Sequence, residues 1–156
     1  MTTGRPRLQP GLTLGALALA LIAGVIHLSL GSAIFTLNAL GYFGLSAAVT
    51  VTTFVPQEWL ARFYWAPRVA LAGYALTSIG AWFLLGGFYA LGYFTKAVEV
   101  VLIGVVALDL YRAYGGPREL VGDAVGSLRD GADLVFGRTG EESRGQGGSS
   151  EGGAEG

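Results

Sequence analysis

Residues 11–30 read GLTLGALALALIAGVIHLSL, an almost wholly aliphatic run without a single Asp, Glu, Lys or Arg. A helix needs about 20 such residues to cross the hydrocarbon of a bilayer. Three more runs follow, at 33–54, 67–87 and 91–114, separated by short connectors. Together they predict an all-α chain, a four-helix transmembrane bundle over 11–114 behind a short N-terminal segment, 1–10. No charged residue lies between Arg7 and Glu58, and none between Arg68 and Lys96. Gaps of that length exclude ordinary surface helices, which need a solvated polar face.

The composition agrees. Hydrophobic residues make up 52% of the chain and charged residues 13%, against about 25% charged in an average soluble domain. There is no cysteine, so disulfides, iron–sulfur clusters and thiolate zinc sites are excluded. A net charge of −1 argues against a nucleic-acid surface.

Arginine placement predicts the orientation. Arg5 and Arg7 precede the first run, Arg62 and Arg68 lie between the second and third, and Arg112 and Arg118 close the fourth. With an even number of spans these fall on one side. The positive-inside rule makes that side cytoplasmic and places both termini there, in a multi-pass protein of the cell membrane. Trp59, Phe63, Tyr64 and Trp65 then form an inner aromatic belt. Trp82, Phe83, Phe88, Tyr89, Tyr93 and Phe94 form an outer one. A cleaved signal peptide ending at Gly31-Ser32-Ala33 is the rival reading of the first run. Its length exceeds the usual 7–15-residue core of such peptides and favours a retained helix.

Outside the spans, Trp59, Leu60, Phe63 and Tyr64 predict a short helix in the membrane plane. Pro67 suits the first turn of the third span. Beyond Gly115-Gly116-Pro117, the residues Val121, Val125, Leu128, Ala132 and Val135 recur at three- and four-residue spacing. They predict an amphipathic cytoplasmic helix over 115–136, on the inner leaflet or against a partner. From 137 to 156 Gly, Ser and Glu predict a disordered acidic tail.

The candidate site comes from residues that do not belong in hydrocarbon. His27, Asn38, Tyr42, Lys96 and Glu99 fall in one depth band of the outer half, on three helices. A rise of 1.5 Å per residue puts Glu99 about 5 Å and His27 about 10 Å from the midplane. Lys96 and Glu99 are three apart and can pair, although Lys96 alone is better read as snorkelling outward. Ala20, Ala23 and Gly24 share a face with His27 and turn it toward the bundle. Two readings stand side by side. The cluster hydrogen-bonds helices together, or it is a functional site, as ionisable residues at this depth usually are. Tyr74, Thr77 and Ser78 are weaker signals, since hydroxyls can satisfy themselves on the preceding turn. Asp109 and Arg112 read as a surface pair.

Complete chemistries are missing. A single histidine and a lone Met1 exclude bis-His and His/Met haem ligation. His27 and Glu99 alone are too few ligands for a metal. Ser29 or Ser32 beside His27 lacks any nucleophile-elbow motif. No cofactor is expected.

Four local patterns carry a resemblance: Val25-Ile26-His27-Leu28, 37–42 (LNALGY), 72–77 (AGYALT) and 92–100 (GYFTKAVEV). Together they resemble a group of small, uncharacterised four-span membrane proteins common in halophilic archaea. The likeness covers the four spans and not the tail. It implies topology and no mechanism. The expected function is that of a non-enzymatic accessory or assembly component. Its partners would be the lipid bilayer and a second copy or another membrane protein. The alternative is a proton- or ion-coupled transport component, with Glu99 as carrier and His27 as relay. A quinone or small-ligand binder ranks last.

Overall fold

A computed structural model describes residues 9–86 and 89–145, with side-chain placement for all of these except 58 and 133–145. The described residues form six helices: α1 (Pro10–Ser29), α2 (Ala33–Phe54), α3 (Glu58–Arg62), α4 (Trp65–Leu85), α5 (Ala90–Tyr114) and α6 (Pro117–Gly145). Four of these, α1, α2, α4 and α5, are long and apolar enough to cross a membrane. Their bounds differ from the predicted spans by no more than two residues. The chain is an all-α, four-helix bundle and a multi-pass membrane protein. The leading arginines Arg5 and Arg7, and Phe88 of the outer belt, lie outside the described residues.

Local chemistry sets the turns. Pro10 opens α1 at a position where its missing N–H costs no hydrogen bond. Gly31, at φ +72°, reverses the chain, and Ser32 caps α2 by accepting from the Phe35 N–H. Gly115, at φ +85°, ends α5 with its N–H on the Tyr111 carbonyl. A left-handed residue at this position favours glycine. Pro117 then starts α6. The helix continues to Gly145, past residue 137 where the sequence predicts the tail to begin; 146–156 lie outside the described residues.

The long helices pack as a closed ring: α1 on α2, α2 on α4, α4 on α5, and α5 back on α1. Alternating directions and short connections suit this arrangement. α1 approaches its neighbours through Ala16, Ala20, Ala23 and Gly24, all buried. A Cβ on Gly24 would stand 2.6 Å from the Phe43 ring, so the close approach requires glycine. The outward faces are apolar: Leu14, Val25, Leu37, Leu76 and Val100 are all exposed. A bundle with greasy side chains outside and charges inside suits lipid as its solvent.

The connector between α2 and α4 departs from a helix lying flat with one apolar side. Leu60 and Tyr64 are buried against the bundle, while Trp59 is exposed. Tyr64 therefore belongs to the core and not to the inner aromatic belt.

Candidate functional site

Each spanning helix carries a buried stripe with a polar residue at both ends. On α1 it runs Thr13, Ala16, Ala20, Ala23, His27. On α2 it runs Tyr42, Ser46, Val49 and on to Thr53, which is half-buried. On α4, Arg68, Leu71 and Ala75 lead to Ser78. On α5 the stripe is Glu99, Leu102, Val106, Asp109. These spacings of three and four put each set on one helix face. The ring of four helices turns the stripes inward, so their polar ends meet in two layers. Ten residues separate Glu99 from Asp109, about 15 Å along the helix.

The outer layer centres on Glu99, which is fully buried. Its Oε1 accepts from the Tyr42 hydroxyl at 2.9 Å and from the Ser78 hydroxyl at 2.9 Å. Its Oε2 pairs with Lys96 Nζ at 2.6 Å. Lys96 also donates to Ser78 Oγ at 2.8 Å, and Asn38 Nδ2 donates to the same oxygen at 3.2 Å. Ser78 thus gives one proton and accepts two, the full capacity of a hydroxyl. The Tyr74 hydroxyl donates to the Asn38 carbonyl at 3.2 Å and packs edge-on against the Tyr42 ring.

His27 Nδ1 lies 2.8 Å from the Ala23 carbonyl, an acceptor, so that nitrogen carries the proton of the bond. Nε2 faces Glu99 Oε1 at 3.7 Å, beyond a direct hydrogen bond. The imidazole stacks on Tyr42 with centroids 5.6 Å apart. The structure therefore brings together all five residues predicted from sequence, His27, Asn38, Tyr42, Lys96 and Glu99, with Asn38 joined through Ser78. Lys96 turns inward instead of snorkelling, its side chain 11% exposed. Ser78 ties the layer together instead of satisfying itself on its own helix, as Thr77 does on the Gly73 carbonyl. Ser29 donates to the Ile26 carbonyl, and Ser32 caps α2.

The inner layer is absent from the sequence reading and corrects it. Asp109 does not pair with Arg112 on the surface. It is 1% exposed and meets Arg68, also 1% exposed, with Nε on Oδ2 at 2.8 Å. Arg68 is accordingly not a solvated connector residue. Every branch of its guanidinium is engaged: Nε on Asp109, one terminal nitrogen on the Tyr64 carbonyl at 2.9 Å, the other on Thr13 at 3.2 Å and Thr53 at 2.8 Å. Its Cζ lies 3.4 Å from the centroid of the Tyr64 ring, which adds a cation–π contact. The Tyr64 hydroxyl donates to Asp109 at 3.2 Å. Burial raises the Tyr64 phenol above its ordinary value, so it remains a neutral donor. A planar fork reaching several acceptors at once is what arginine offers and lysine does not.

Between the layers lie Val49, Leu71, Leu102 and Val106, all at most 1% exposed. Ser46 is the polar exception there, with its hydroxyl buried and without a partner. No group of three or more His, Asp or Glu able to hold a metal is present among the described residues. The arrangement can lock four helices in register and hold two opposite charge pairs in oil.

No protein-family model matches the chain, and no curated protein or solved structure matches it either.

Proposed function

We propose that this chain is a non-enzymatic accessory or assembly component of the cell membrane, a four-span bundle whose ionic layers fix one helix register. One observation carries the reading. Apart from His27 Nε2, the polar groups of both layers are spent on neighbours from the same chain, with Glu99 at 0%, Arg68 at 1% and Asp109 at 1% exposure. A site built for an exchanging ligand or ion would leave such groups a path to water. The apolar side chains between the layers support the same conclusion. The patterns resembling the small four-span proteins of halophilic archaea contain His27, Asn38, Tyr42, Tyr74, Lys96 and Glu99, the outer layer in nearly complete form. Exposed Arg62, Arg112 and Arg118 support termini on the cytoplasmic side.

The second reading is proton- or ion-coupled transport, favoured by His27 Nε2 standing 3.7 Å from Glu99 without a direct hydrogen bond. Proteoliposomes separate the two. The accessory reading expects proton and cation flux equal to that of empty vesicles, with Glu99→Gln lowering only the stability of the bundle. Flux above background that falls in Glu99→Gln would replace it with transport. A partner of assembly is tested by recovering complexes from native membranes with the wild type and with Glu99→Gln. Loss of a defined complex in the variant is the expected result.

A further inference from the structure

Helix α6 sorts its residues into four sides. Leu120, Ala124, Ser127 and Gly131, spaced four, three and four apart, face the bundle. Leu120 packs against the core, Ser127 Oγ donates to the Arg62 carbonyl at 3.0 Å, and a Cβ on Gly131 would lie 3.7 Å from Phe63. One residue later in each case comes a second row: Val121, Val125, Leu128 and Ala132. All four are exposed, Val121 at 62% and both Val125 and Leu128 at 58%. The two rows are about 100° apart around the axis. Arg118 and Arg129 flank the apolar row on the side away from the bundle. Glu119, Asp123 and Asp130 lie roughly opposite it.

A free amphipathic helix in water has no reason to expose its apolar row while a protein surface lies alongside. A helix lying in the membrane interface does. Its sides are then the bundle, the acyl region, the headgroups and water. The observed order of faces is core contact, aliphatic, arginine, acid. Trp59 on neighbouring α3 is 60% exposed, and indole favours the headgroup level. Arginines beside a buried apolar face complement anionic phosphates, while the acids point away from them.

We propose that α6 is a leaflet-binding helix, docked on the bundle by one side and inserted by Val121, Val125, Leu128 and Ala132 into the surface of an anionic phospholipid leaflet. Arg118 and Arg129 hold the lipid phosphates. The occupant is lipid and neither a second copy nor a soluble protein, because the charged groups separate by sign across the apolar row.

The native chain has no cysteine, which gives a direct test. Full-length Val125→Cys and Glu119→Cys, each labelled with an environment-sensitive fluorophore, are reconstituted in phosphatidylcholine vesicles with and without one quarter phosphatidylglycerol. Quenching by brominated acyl chains should be at least about threefold greater at 125 than at 119 in the anionic vesicles, and iodide should show the reverse order. Each arginine near an anionic surface strengthens attraction about 5-fold. Arg118→Gln with Arg129→Gln should therefore weaken acyl-chain quenching at 125 in anionic vesicles and leave it unchanged in neutral ones. These positions are exposed, so the fold does not depend on them. Equal responses at 125 and 119, equal quenching in both vesicle types, or shielding of 125 from both quenchers by a protein would each overturn the proposal.

Discussion

Replacing Asp109 with alanine strands the Arg68 guanidinium among apolar helices. The pair is 2.8 Å apart with side chains 1% and 2% exposed. Breaking a buried pair by removing one partner costs about 3–5 kcal/mol, because the other charge remains without compensation. The Arg62–Asp130 pair provides the internal comparison. It spans 3.3 Å, but its side chains are 55% and 61% exposed, and exposed pairs contribute about 0–1 kcal/mol. Unfolding by SDS titration in mixed micelles, followed by tryptophan fluorescence, should rank Asp109→Ala well below Asp130→Ala. The double variant Arg68→Met with Asp109→Leu removes both charges together. It should recover to within about 1–2 kcal/mol of the wild type, since apolar replacement of a whole buried pair is often neutral. The residual loss comes from Thr13, Thr53 and both the carbonyl and the hydroxyl of Tyr64, which lose these partners. If Asp109→Ala matches Asp130→Ala, or if the two single losses simply add in the double variant, the inner layer is not the buried ion pair described.

Other perturbations have equally direct readouts. Tyr42→Phe removes a 2.9 Å bond to Glu99 and should cost about 1.5–3 kcal/mol in the same titration, as hydrogen bonds to charged groups do. Gly41→Ala drives a methyl into the Tyr74 hydroxyl, whereas Gly44→Ala meets nothing within 4 Å. The first should lose about 1–3 kcal/mol by overpacking, and the second should be neutral or stabilised by up to about 1 kcal/mol through helix propensity. Burial raises the pKa of Asp123, so its ionised form weakens α6 docking. That penalty is present above the raised value and disappears as pH falls through it and below the ordinary carboxyl range. Asp123→Asn should therefore slow amide exchange in α6 at neutral pH, with the difference vanishing in acid.

The spans were legible because they rest on bulk composition, and oil selects for that over a whole helix length. His27, Asn38, Tyr42 and Glu99 were legible for a related reason. They interrupt apolar runs well inside the bilayer, where any polar atom stands out. Arg68, Asp109, Tyr64, Thr13 and Thr53 were not, because they sit toward the ends of their helices, where charged side chains normally meet headgroups and water. Depth alone cannot distinguish a wet arginine from a buried one there. A face-by-face reading can. Asp109 shares the stripe of Glu99, Leu102 and Val106, and Arg68 shares that of Leu71, Ala75 and Ser78. Ser78 is a weak signal in the sequence because a helical hydroxyl can bond its own turn, and its role depends on three helices converging, which spacing along one helix does not reveal.

Both carboxylates at the heart of the two layers ride on α5, and their cationic partners do not move as one. Arg68 belongs to α4 at one end, and Lys96 stays with α5 at the other. A slip of α5 by one turn, about 5.4 Å, would tear Asp109 from Arg68 and carry the Lys96–Glu99 couple away from Tyr42 and Ser78 in the same motion. The helix is keyed at two heights like a shaft in a lock, so piston movement is resisted at both ends together.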